Sequence, residues 1–450
     1  MEINAFVQRL FDRAREAGLE KCEVYYTGGD EFETEVFKGE IVNYKVSDFK
    51  GLSFRALVDG KMGYAATQVL DEEAIDLLVD GVQTNLSLLE DEDEQFLYAG
   101  GSAYQPMNSF DEGVAALSAR EKIDMALRME QAALHADPRV AQVSDCTVFT
   151  SGETRRIVNT LGLDVCHRAN MVGGYVGPVA KQGEQVNSAF GMFFQGNLEG
   201  IDVNRVAEEA VSDAVNGLDA APVASGSYRV VLRGDVMASV LSAFDGVFSA
   251  ASAQKGLSLL KGREGEVIAD SCVTLWDDPH MAGGLASSPF DAEGVPTRKK
   301  AVIERGTFTT LLHNLKTAHR QGVQTTGNAA KAGYAAQISV APSNFYFAPG
   351  EKTLEQLFAQ VGDGLFITDV SGLHSGADSI SGDFSVGAKG FVIRGGTLCE
   401  AVGQITVAGN FYDLLRDARG FADEVKFGFP SQSWVGSPAV YVEKLSVAGK

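Results

Sequence analysis

The chain has 450 residues, 45% hydrophobic and 22% charged, a balance that suits a globular protein of two or three domains. Its net charge of −22, from 60 acids against 38 bases, argues against direct nucleic-acid binding, whose affinity comes largely from neutralising phosphates. No apolar run reaches the roughly 18 residues of a membrane span, and the N-terminal stretch carries acids and no cleavable apolar core, so a cytoplasmic protein is expected.

Ile3, Phe6, Val7, Leu10, Phe11 and Ala14 fall on one face of a helix over residues 3–17, which Gly18 ends. "CEVYY" reads as a short strand, and residues 34–67 read as an antiparallel meander with turns at Lys38-Gly39, at residues 48–51 and at Asp59-Gly60. A helix over residues 71–86 leads into the acidic connector "LLEDEDEQFLYAGGSAYQP", a solvated loop. Ser118 and Glu121 form the S-x-x-E pattern of a capping box opening a helix that runs to about His135. Strands follow from Val140 to about Gln195, separated by "SGE", "NTLG" and "KQGEQ", and a helix over residues 203–218 closes the first half.

The small, Pro- and Gly-bearing stretch 220–227 separates a first domain, residues 1–222, from a second, residues 226–450. After "YRVVL" and one helix, the second half is rich in strands and glycine, with turn signals every 8–15 residues. The fold class expected is α+β: an N-terminal α+β domain with an antiparallel sheet, and a C-terminal curved antiparallel, β-rich, barrel-like domain.

The five cysteines are scattered and form no CxxC pair, which suits reduced thiols and offers no cysteine-based zinc site. There are six histidines. His135, His167 and His280 have structural readings, and His313 and His319 would point roughly 120° apart on a helix, poorly placed to share a metal. His374 lies in the loop "SGLHSGADSISGDFSVGAKGF" beside Ser375. Neighbouring side chains on an extended chain face opposite ways, and no G-x-S-x-G elbow is present, so a serine triad there is disfavoured. No nucleotide-binding glycine pattern occurs.

The strings "FKGEIVNYKVSDFKGLSFRALVDGKMGYAAT", "GLHSGADSISGDFSVGAKGFVI", "ITVAGNFYDLL" and "GSPAVYVEKLSVAG" resemble the TldD/PmbA family of peptidase-related proteins, also called modulators of DNA gyrase. The resemblance spans essentially the whole chain and points to the PmbA/TldE branch. It implies a two-component metallopeptidase in which a TldD-like subunit carries zinc on a His-Glu-x-x-x-His helix with a distant cysteine. The matching helix here, "VLSAFDGVFSAASAQKG", has no histidine, and "KFGFPSQS" has Phe429 and Pro430 where the cysteine would fall. No metal and no cofactor are therefore expected in this chain, because zinc needs N, S or O donors converging at about 2.0–2.3 Å.

The resemblance also implies a TldD-like partner and a peptide substrate; when the partner is absent a homodimer is expected, because most soluble oligomers are two-fold homodimers. The glycine-rich loop then has two readings. One is a self-bonded loop at the barrel rim. The other is part of a peptide-cavity wall, with His374, Ser375, Asp378, Ser381, Gly382, Asp383, Ser385 and Gly387 as its candidates, beside open strand edges that would pair with the peptide backbone. Alternatives are a non-enzymatic regulator of the gyrase-modulator type and an independent hydrolase using His374.

Overall fold

A computed structural model describes residues 1–90 and 94–450. The centre of the acidic connector, residues 91–93, lies outside the described residues.

The first half is built on one seven-stranded sheet. Its strands are β1 (Lys21–Phe37), β2 (Glu40–Val58), β3 (Lys61–Thr67), β4 (Val140–Asn159), β5 (Asp164–Gln182), β6 (Gln185–Ser188) and β7 (Gly191–Gln195). The order is β3-β2-β1-β4-β5-β6, with β7 beside β5. β1, β2, β4 and β5 run 17, 19, 20 and 19 residues, several times the common strand length, so one sheet serves two cores. At one end Val24, Leu52 and Phe54 pack under the helices Ile3–Glu16 and Glu72–Leu88. At the other, Val36, Val148 and Val176 pack under Ala119–Ala136 and Val203–Asn216. The capping box is formed as expected: Ser118 accepts from the Glu121 N–H, and the Glu121 carboxylate accepts from the Ser118 N–H.

All these apolar strand residues are even-numbered, which places the helices on one face. The odd-numbered residues, among them Tyr25, Ser53, Arg155 and His167, point to the other face by the period of two.

Two turn expectations fail, for one reason. Residues 48–51 and Ser151-Gly152-Glu153 lie inside β2 and β4, in continuous ladders with β1. Glycine here answers close approach and not a bend. A Cβ on Gly51 would collide with the Tyr334 ring, and one on Gly29 would collide with the Gly152 carbonyl oxygen. Lys38-Gly39 and Asp59-Gly60, by contrast, are true turns with positive φ at all four residues.

The second half begins with β8 (Gly226–Leu232), after residues 220–225. β8 pairs with Gly364–Ser371, which pairs with Asp383–Arg394, then Thr397–Asn410, then Trp434–Ala448, which pairs back with β8. The strand pairings therefore close a ring within the ten-stranded sheet. Two pairings in this sheet are parallel: β8 with Gly364–Ser371, and Asn344–Phe347 with Trp434–Ala448. The helix Gly234–Phe244 and the 3-10 turn Asp245–Phe248 insert Val240, Phe244 and Phe248 into the core with Val386, Ile405 and Val440. "GEVIADSCVTLW" is mostly irregular, and only Leu275–Asp277 is a strand. Residues 279–297 and 327–343, on either side of barrel strands at Lys300–Glu304 and Thr307–Phe308, cross over the N-terminal sheet, where Phe290, Ala292 and Ala329 join Tyr25 and Ile157 in a shared cluster.

Candidate functional site

Polar side chains converge in that crossing, around a cleft of about 380 Å3. Its floor is the odd-numbered face of the sheet. Strand register places Gly51, Thr27, Arg155 and His167 in one row across β2, β1, β4 and β5, and Ser53, Tyr25, Ile157 and Val165 in the next. Its walls are Pro279, residues 285–291, Thr297, residues 327–333, residues 341–343, Ser431 and Gln432.

A buried knot fixes the walls. Asp277 Oδ2 accepts from Lys300 Nζ and Asn328 Nδ2, each at 2.7 Å, and its Oδ1 accepts from the Ser343 N–H at 2.7 Å. Burial would raise this carboxyl's pKa, but the Lys300 charge and these hydrogen bonds hold it below its ordinary value. Asp291 Oδ1 accepts from the N–H groups of Glu293 and Val295 at 2.9 and 3.1 Å, and its Oδ2 from that of Ala329 at 3.0 Å. Burial still pushes it to about 6. Glu293, buried beside the Asp291 charge, is pushed to about 8, with Oε2 accepting from the Leu315 N–H at 2.8 Å.

Lys331 reaches from the wall to the floor. Its ammonium donates to Ser53 Oγ and to the Tyr334 carbonyl, and it stands 4.5 Å above the Tyr25 ring. Burial, then the nearby Arg55 charge, bring its pKa down to about 7. Arg55 itself is buried against Glu23, its cross-strand neighbour, with Nε donating to Oε1 at 2.8 Å. Gly51 lets the Tyr334 ring lie flat on β2. A Gly51→Ala chain is expected to lose about 1–3 kcal/mol of docking for this segment through overpacking. Trypsin should then cut after Lys331 several times faster under native conditions, and an unchanged rate would count against the docking.

The loop residues named from the sequence gather elsewhere, at the rim of the barrel. His374 and Ser375 sit on the single-turn helix Leu373–Gly376, both exposed. Asp378 Oδ1 accepts from the N–H groups of Ile380 and Ser381 at 2.8 and 3.1 Å, and Ser381 Oγ from that of Asp383 at 3.2 Å. Asp383 Oδ1 accepts from Asn410 Nδ2 at 2.9 Å, so that carboxylate is engaged away from the imidazole. Gly382 has φ +86°, and a Cβ there would meet the Tyr412 ring at 2.8 Å. Ser385 is exposed and Gly387 half-buried in the strand Asp383–Arg394. His374 faces a recess shared with Ser239, Ser242 and Ala243 of the helix Gly234–Phe244.

That helix is the place to test for zinc. Val240, Leu241, Phe244 and Val247 are buried apolar side chains, and Asp245, just past the helix end, is pushed by burial to about 6. Phe429 packs its ring 4.8 Å from that of Phe194. Among the described residues no group of three or more His, Cys, Asp or Glu side chains is arranged to hold a metal ion. The donor set does not fit zinc. His313 is buried at the start of the helix Leu315–Gln321, while His319 is exposed against Phe96. No described helix is long and apolar enough to cross a membrane.

A curled antiparallel sheet backed by helices is thus joined to a β-rich barrel, and among the described residues no side chains cluster to hold a metal. Residues 22–85 match the model of domain 1, residues 112–218 that of the central domain, and residues 225–449 that of the C-terminal domain of the PmbA/TldA metallopeptidases. The chain belongs to this family. A solved structure from Thermotoga maritima, described as a candidate modulator of a DNA gyrase, superposes with TM-score 0.91 at 32% identity, covering 99% of this chain and 100% of that one. TldE from Thermococcus kodakarensis has the same fold, with TM-score 0.89 at 23% identity over 99% of this chain and 100% of its own. A Haemophilus influenzae protein named metalloprotease PmbA homolog is 24% identical over 424 residues, 91% of this chain and 88% of its own.

Proposed function

We propose that this chain is a non-catalytic, protein-interaction subunit of the family, of the TldE type. It brings no zinc, pairs with a zinc-bearing TldD-like subunit, and holds an extended peptide against cavity walls and open strand edges while the partner cleaves it. The observation that carries this reading is the pairing of family membership with a helix, Gly234–Phe244, that has no histidine or glutamate where the family resemblance would put the zinc motif. The rim loop with His374, Ser375, Asp378 and Asp383 belongs to the wall of that peptide cavity. Alone, the chain is a two-fold homodimer in the cytoplasm.

Affinity capture from the native cell extract, with metal analysis of the bait, tests this. The expected result is capture of a protein bearing His-Glu-x-x-x-His and less than about one zinc per ten chains in the bait alone. Stoichiometric zinc in the isolated chain, or peptidase activity without a partner, would overturn it. The second reading, a regulator that contacts gyrase protein, is favoured by the description carried by the Thermotoga maritima relative. Capture of gyrase in place of a zinc-bearing subunit would select it.

A further inference from the structure

We infer that the cleft between the two halves is a carboxylate-binding site, in which Arg155 on the sheet and Lys331 on the crossing segment hold the free C-terminus of a short peptide. This rests on the peptide-holding reading above and names which end of the peptide the chain takes.

An arginine that lines a cavity and makes no ion pair is a candidate ligand contact. Arg155 is one: its Nη2 donates to Ser288 Oγ and, at 3.4 Å, to the Phe290 carbonyl, both neutral. Its Nε is buried with no hydrogen-bond partner, as is His167 Nε2 beside it in the cross-strand row. Unpaired buried polar atoms cost about 1–3 kcal/mol each, and both are closed to solvent, so a ligand in the cleft would meet the outer nitrogens of the Arg155 guanidinium. Lys331 likewise spends its ammonium on neutral oxygens, those of Ser53 and Tyr334.

The nearby acids are engaged or exposed. Asp291 is saturated by three backbone N–H groups, and Glu23 is held by Arg55 and Asn159. Glu153 is exposed, so water screens its charge. Arg155 gives the site one fixed positive charge and Lys331 a second that is partial near neutral pH, with the Asp291 carboxylate on the wall within reach of the Arg155 charge. That matches a singly charged carboxylate better than a dianion. A cavity of about 380 Å3 takes one or two terminal residues and not a folded chain. The serines at 287, 288 and 343 supply neutral donors for the same end.

Fluorescence anisotropy on the purified full chain tests it, with N-terminally labelled alanine-rich peptides that end in a free acid or in an amide. The acid is expected to bind about ten- to hundredfold more tightly at neutral pH, the worth of a charge-assisted hydrogen bond. Arg155→Gln should abolish that preference, Arg155→Lys should keep most of it, and Lys331→Met should reduce it in a chain whose sheet floor is untouched. Equal binding of acid and amide, or a preference that survives Arg155→Gln, overturns the inference while the peptide reading stands. Binding of neither peptide overturns both. Displacement of the acid peptide by inorganic phosphate at comparable concentration would assign the site to a free anion and overturn the peptide terminus as its ligand.

Discussion

An Asp277→Ala chain should unfold its barrel at clearly lower urea concentration than the wild type, with a loss of about 3–5 kcal/mol. Asp277 is fully buried, and its ion-pair partner Lys300 is 9% exposed. Removing the carboxylate strands a buried ammonium and leaves donors of Asn328 and Ser343 unmatched, and an alanine side chain fills none of these roles. Asp277→Asn keeps the shape and one acceptor, so its loss should be smaller. Tryptophan fluorescence is a suitable reporter, because Trp276 is the neighbour of Asp277 and the other tryptophan, Trp434, lies in the same ten-stranded sheet. A loss below about 1 kcal/mol would mean that the knot does not organise the walls of the cleft.

The second large effect concerns Glu293 and has the opposite sign. Its carboxyl titrates at about 8 when folded, against an ordinary 4.5, because burial and the Asp291 charge disfavour ionisation. The folded state therefore binds the proton more tightly than the unfolded chain. The resulting stabilisation is complete below pH 4.5 and drains away as pH rises to about 8. Glu293→Gln removes that dependence, and its amide oxygen can still accept from the Leu315 N–H. Wild type and variant should be similarly stable near pH 4.5, and the variant should pull ahead by about 2–4 kcal/mol at pH 8, each tenfold difference in proton affinity being worth about 1.4 kcal/mol. The difference between the two chains isolates this group from the others that titrate in the same range. Parallel stability curves from pH 4.5 to 8 would show that Glu293 ionises freely in the fold.

Local signals in the sequence are legible where local forces decide. The apolar spacing of Phe6, Leu10 and Ala14 and the Ser118/Glu121 capping box both describe what the backbone does within a few residues. The alternating strands of the second half point to its barrel-like class for the same reason. Gly51 and Gly152 read as turns because the groups that crowd them are distant in sequence, the Tyr334 ring for one and the Asp30 carboxylate on β1 for the other.

The cleft escapes a reading of the sequence for a related reason. Its floor is spread over four strands, and only register brings Thr27, Arg155 and His167 into a row. One clue is present: β1 and β4 carry polar or aromatic residues at alternate positions, Tyr25 and Thr27, Glu153 and Arg155, opposite an apolar face. The rim loop stands out instead because its chemistry is contiguous in the chain.

The crossing of residues 279–297 and 327–343 over the N-terminal sheet bears on how the protein is made. Ser53 and Lys331 meet across 278 positions of sequence. On the ribosome, the early sheet must wait, with Tyr25 and Ile157 wetted and the Glu23–Arg55 pair uncovered, until most of the remaining chain has been translated. Contacts of such long range form slowly, and a half-covered sheet is prone to association while it waits.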